Sequence, residues 1–269
     1  MNLTPAARQG TAPYVVVLLA AAAAAWAWVL ARPRDMGVMP GAAGLGPAAF
    51  LGAWTVMMAA MMLPATAVVA TLYARTLTTQ RLARLTLFAA GYLVVWALAG
   101  VPAYLLALGA GRVATGRPVL GTAVAAGAFA LTGAYQLSPW KERCLRTCRA
   151  PFSLLLRYAS WRGPSRELRA GAHHGAFCLG CCWSLMVLLG VFGMMNVWAM
   201  AGLAAVVLLE KATPAGPRLA RVVGAVSLVL AVTVVFVPQL APGLTGGLTG
   251  GPAPMAQAAS KERLASPSA

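Results

Sequence analysis

The sequence predicts an all-α, polytopic membrane protein: a bundle of about seven transmembrane helices, or six if the first is cleaved. Three observations carry that prediction. The 269-residue chain is 60% apolar and only 10% charged, with a mean hydropathy of +0.76, whereas a soluble domain is nearer half apolar and a quarter charged. Its apolar residues gather into runs long enough to cross a hydrocarbon core of about 30 Å. Finally, 21 Lys+Arg stand against 5 Asp+Glu, and the basic residues lie between the runs, where orientation signals belong. This composition excludes a secreted disulfide scaffold, a disordered chain and an ordinary cytosolic enzyme. The placement of charge argues against nucleic acid as a partner.

The runs follow in order. Residues 13–31 just span the core at about 1.5 Å per residue. Residues 48–72, 85–108, 118–137, 174–191, 194–209 and 219–238 supply the rest. Lipid offers the backbone no partner, so each run must be helical. Only Phe192 and Gly193 separate the fifth from the sixth, which predicts a tight helical hairpin. The first run could be a signal peptide, but its apolar stretch is long and its leading charge, Arg8, is weak, which favours a retained helix. Counted on alternate sides of the membrane, Lys+Arg number 15 against 6. The N-terminus is therefore expected in the cytoplasm and the C-terminus outside. Residues 1–12 are then a cytoplasmic tail and 13–239 the bundle, with a basic cytoplasmic loop at 138–170. Residues 240–269, rich in Gly, Pro, Ala and Ser, read as a flexible external tail.

The five cysteines fall in two groups, Cys144 and Cys148, then Cys178, Cys181 and Cys182. An odd count forbids complete internal pairing. Both groups lie at the expected cytoplasmic face, where thiols stay reduced. Reduced thiols are soft donors suited to Cu(I), Zn or an Fe–S centre. On a helix, residues three and four apart share a face, so Cys178, Cys181 and Cys182 form one arc, with His174 a turn earlier. Cys144 and Cys148 share a face in the same way. The basic loop between the groups lets them fold together.

A second donor type precedes them. In WTVMMAAMMLP (54–64), Met57 and Met61 are four apart, as are Met58 and Met62. Each pair sets two thioethers on one helix face, neutral enough for lipid and soft enough for Cu(I). Met186 lies one turn beyond Cys182, and Met36, Met39, Met194, Met195 and Met200 place further thioethers towards the outer side. Pro64 is expected to kink this helix and free backbone carbonyls. Glu210, at the edge of the sixth run and level with the thiols, is a candidate ligand or orienter. His174 can ligate, whereas His173 points about 100° away from that face. No run holds an internal Asp or Glu, which disfavours a proton-coupled carrier.

The loop 138–170 carries eight Lys+Arg and two Glu, interleaved with Phe152, Leu154, Leu155, Leu156, Tyr158 and Trp161. It reads as an interfacial segment on anionic headgroups. The dipeptide Gly-Lys never occurs, so there is no phosphate-binding loop, and no aspartyl-phosphate motif is present.

These stretches also carry a resemblance. AWTVMMAAMMLP (53–64), YQLSPWKERCLRTCRAP (135–151), GAFCLGCCWSLM (175–186), FGMMNVWAM (192–200) and VVLLEK (206–211) are similar to a bacterial domain-of-unknown-function family of integral membrane proteins described as predicted metal-binding. The likeness covers roughly 50–235. It implies metal handling at the bacterial inner membrane, with copper the leading metal, and names Cys144, Cys148, Cys178, Cys181 and Cys182 as the family's thiols. Met57–Met62 alone also resemble the Met-x-x-x-Met helix of Ctr-type copper permeases.

The expectation is thus a soft-metal-binding membrane protein that transports copper(I) or delivers it within the membrane, with zinc or iron as the other options. Met57, Met58, Met61 and Met62 would relay the ion. Cys144, Cys148, Cys178, Cys181 and Cys182 would receive it, assisted by His174, Glu210 and Met186. A copper chaperone or a metalloprotein client would be its partner, and no catalytic residue is assigned. The alternatives are a membrane thiol–disulfide oxidoreductase, using Cys181–Cys182 or Cys144–Cys148, and a structural or assembly subunit whose sulfurs merely pack.

Overall fold

A computed structural model describes residues 12–31, 44–77, 79–116, 118–194 and 196–245. Met36, Met39, Met195, residues 1–11 and the tail from 246 onward lie outside the described residues. Every regular element described is helical: α1 (Ala12–Leu30), α2 (Pro47–Thr76), α3 (Arg81–Gly116), α4 (Pro118–Gln136), α5 (Pro139–Arg149), α6 (Pro151–Ala159), α7 (Arg166–Phe192), α8 (Val197–Ala212), α9 (Gly216–Phe236), a 3₁₀ turn (Pro238–Leu240) and α10 (Pro242–Thr245).

Among the described residues, five helices are long and apolar enough to cross a membrane: those covering Pro47–Ala67, Arg81–Val113, Val119–Gln136, Arg166–Phe192 and Gly216–Phe236. The expected count of seven is not reached. The sixth run became α8, 16 residues long, which at about 1.5 Å per residue falls short of a ~30 Å core. The apolar part of α1, Val16–Leu30, is likewise short. The fifth run is longer than expected, because α7 starts at Arg166, eight residues before the apolar stretch begins.

Local chemistry sets the breaks. Ser138 caps α5, its hydroxyl accepting from the Lys141 amide at 3.2 Å, with Pro139 in the first turn. Pro151 bars Ala150 from helical ψ (φ −106°, ψ 69°), so the loop becomes two short amphipathic helices. Lys141, Leu145 and Cys148 form the buried face of α5. Leu154 and Tyr158 form that of α6, leaving Phe152 and Leu156 exposed. The α7–α8 hairpin turns at Gly193 (φ 98°), and the Asn196 carboxamide caps α8 by accepting from the amides of Trp198 and Ala199.

Helix α7 is the hub, packed against α3, α4, α5, α8 and α10. Its crossing with α3 brings backbones together: a Cβ on Gly171 would collide with the Phe88 carbonyl, and one on Gly91 with that of Leu168. Such close approach drives helix association where hydrophobicity does not. Leucines and valines on the outer faces of α3 and α9, including Leu98, Leu105, Val229 and Val232, are exposed, as a lipid-facing surface would be.

Two expectations meet a different outcome. Residues 240–245, read as the start of a flexible tail, include α10, which packs against α4 and α7 with Ala241 and Leu244 buried. Pro64 does sit inside α2, but the carbonyl it leaves without an amide, that of Ala60, is not free. The Trp26 indole of α1 donates to it at 3.0 Å. Apolar composition hides such a contact, because only the fold brings residues 34 apart together.

Candidate metal centre

The thiols converge. Cys178, Cys181 and Cys182 face inward from α7, each completely buried. The Cys181 Sγ lies 3.3 Å from that of Cys182 and 3.8 Å from that of Cys148, on α5. Two sulfur groups separated by the basic loop therefore meet in space. Cys144 stands apart: it is half-buried, above Gly180, where a Cβ would approach its sulfur to 3.2 Å. All five thiols are free.

Helix α5 is held there by a buried polar clamp that the sequence reading missed. The Lys141 ammonium donates to the Glu210 carboxylate at 2.7 Å and to the Cys181 carbonyl at 2.5 Å, and both charged side chains are only 1% exposed. The Gln136 carboxamide donates to the other Glu210 oxygen at 2.9 Å. Burial works against the Lys141 ammonium, but the Cys182 sulfur, the Glu210 carboxylate and the Cys181 sulfur together hold its pKa above the ordinary lysine value. Arg149 adds a second tie by donating to the carbonyls of Glu210 (2.7 Å) and Thr213 at the end of α8. Glu210, read from sequence as a possible ligand, thus has both oxygens engaged.

Two further groups reach Cys178. The Lys211 ammonium donates to its Sγ at 2.8 Å, and the Tyr92 hydroxyl, on α3, lies 2.9 Å from the same sulfur. Neither was foreseen. The only signal in the sequence was the rarity of a lysine so close to an apolar run.

His174 occupies the position expected, one turn before Cys178. It is 3% exposed, stacked near Phe88 and Tyr92, and its Nδ1 is buried without a partner. An orphaned imidazole nitrogen is unusual in a native interior, and beside thiols it adds a donor that a soft metal accepts. His173 instead packs among Tyr158, Trp161 and Phe177.

Met57, Met58, Met61 and Met62 are 0–3% exposed. They share one continuous buried cluster with the thiols, Met186 and Met200. Helix α2 carries them against α8 and α3.

Among the described residues, no three His, Cys, Asp or Glu side chains form a ready metal-binding group. The sulfurs meet as pairs, Cys181 with Cys148 and Cys181 with Cys182. A four-donor zinc site would need rearrangement, whereas a two-coordinate soft monocation needs only a pair.

No curated protein and no solved structure matches the chain. A family model described as a copper chaperone matches residues 51–234, from the second turn of α2 almost to the end of α9, and so covers every sulfur described above. The chain therefore belongs to the PpoB2 copper chaperone family.

Proposed function

We propose that the protein binds copper(I) within a membrane and hands it on. Thioethers of Met57, Met58, Met61 and Met62 act as the relay, and thiols of Cys148, Cys178, Cys181 and Cys182 as the receiving site. The observation that carries this reading is the meeting of Cys148 with Cys181 across two helices. Copper(I) is the member of the copper couple that thiolates and thioethers favour. Cys144, half-buried, is the sulfur through which a client or cytosolic chaperone exchanges the ion. Glu210 orients α5 through Lys141, and His174 and Met186 flank the pair on α7. The charge distribution supports insertion in the bacterial inner membrane with the N-terminus inside. It also supports a seat for Trp140, Phe152, Leu156 and the loop arginines among anionic headgroups.

X-ray absorption of the full-length chain, purified anaerobically with reductant and loaded with Cu(I), tests the site. The expected spectrum has two or three sulfur neighbours and no oxygen shell. A tetrahedral zinc site retained in preference to copper would overturn the assignment, and so would a metal-free chain that cycles a disulfide.

The relay has its own test. Replacing Met57, Met58, Met61 and Met62 by Leu keeps volume and apolarity, a change cores tolerate. We expect this variant to fold and to hold copper at the thiols, while copper loading from the outer face of proteoliposomes slows at least tenfold, roughly what loss of about 1.4 kcal/mol of binding would give. Unchanged loading would show that these sulfurs only pack.

A further inference from the structure

The polar groups around the thiols are unequal in charge. Lys141 is matched by Glu210. Arg146 is matched by Glu142, and Arg84 and Arg166 share Glu167. These three glutamates are the only described carboxylates, and all are engaged. Lys211 has none: among the described residues its ammonium meets the Cys178 sulfur instead, at 2.8 Å. The counter-charge that this part-buried cation meets within the fold is therefore sulfur.

Resting on the copper reading above, we propose that Lys211 selects the charge of the bound ion, admitting soft monovalent cations, Cu(I) or Ag(I), and disfavouring divalent ones. Two thiolates and a monovalent ion carry one net negative charge, which the Lys211 ammonium cancels. Two thiolates and a divalent ion are already neutral, so the part-buried ammonium, which rests on the fully buried Cys178 sulfur, would lose its counter-charge, which is unfavourable. A divalent ion would have to gather a third thiolate, and no such three-donor group is assembled among the described residues. Lys211 is thus a specificity residue acting through charge and makes no bond to the ion. Its Cys178 contact also holds the last turn of α8 against α7, where Tyr92 touches the same sulfur.

The test uses the full-length chain in lipid nanodiscs under anaerobic, reducing conditions, with Cu(I), Ag(I) and Zn(II) each titrated against a competing chelator. Wild type is compared with Lys211→Met, which keeps the apolar stem, and Lys211→Arg, which keeps the charge. Lys211→Met is expected to lose roughly tenfold or more in Cu(I) and Ag(I) affinity, as loss of a close charged contact does. Its Zn(II) affinity should stay the same or rise, and Lys211→Arg should restore the wild-type preference. Equal loss for all three metals would mean that Lys211 only supports the fold, and an unchanged preference would mean that it is a bystander. Either result overturns this proposal while leaving copper binding intact. A wild-type chain that binds neither Cu(I) nor Ag(I) overturns the copper reading as well.

Discussion

Cys181→Ser is expected to strip the bound copper while the fold survives. Cys181 is the sulfur common to both close pairs, 3.3 Å from Cys182 and 3.8 Å from Cys148. Its removal breaks the sulfur bridge between α5 and α7 and leaves Cys148 without a sulfur partner, with only the Cys178–Cys182 contact within α7 remaining. The exchange replaces a soft donor by a hydroxyl, which Cu(I) binds poorly. The Lys141 bond to position 181 uses the backbone carbonyl, so the clamp persists. Wild type should retain on the order of one copper per chain after reductive purification, and the variant close to none, as expected if one soft-donor pair holds the ion. Metal analysis measures this, with size-exclusion behaviour as the check on folding. Cys144→Ser should retain its copper, since that thiol lies outside the contacting set, but should be slower to release it to a soluble thiol acceptor. Equal copper retention by Cys181→Ser and wild type would remove the central claim.

Lys141→Met is expected to be among the most destabilising single substitutions in the chain. It leaves the Glu210 carboxylate buried with its main counter-charge gone. Removing one member of a buried ion pair typically costs about 3–5 kcal/mol. The substitution also releases the Cys181 carbonyl and so loosens α5, which carries Cys148. The double variant Lys141→Met/Glu210→Leu removes both charges, and should recover most of the lost stability, because well-packed apolar replacements of buried pairs are often neutral or better. Thermal unfolding in detergent separates the two variants. If the single variant melts like wild type, the pair is not carrying α5. If the double variant regains stability and copper together, the clamp has no part in positioning the thiols beyond holding the helix.

Much of the candidate site could be read without coordinates, for a physical reason. Cys178, Cys181, Cys182 and His174 share one helical face because a helix repeats every 3.6 residues, and α7 places all four in the interior. The Met57–Met62 pattern follows the same rule, and all four side chains are buried. What the period could not supply was distance between elements. Cys144 and Cys148 look equivalent in sequence, yet only Cys148 reaches Cys181, because Pro151 ends α5 one turn later and Lys141 rotates the helix onto α7. Lys141 itself looked like one more positive-inside residue of a basic loop, and Lys211 like a flanking charge. Nothing local distinguishes a lysine that faces headgroups from one that bonds a sulfur 33 residues away.

Composition and period alone determined the class of the molecule, an all-helical chain with several helices apolar enough for a bilayer, and the donor chemistry of its sulfurs. Both follow from short-range rules, namely the demand of each backbone group for a hydrogen bond and the geometry of one helix turn. Tertiary structure decided which apolar runs are long enough to span, that the Pro64 gap is filled by Trp26, and that two lysines, Lys141 buried and Lys211 part-buried, attend the thiols. Those outcomes depend on which residues, tens of positions apart, come within 4 Å of each other. That is a property of the packed bundle, and no single helix contains it.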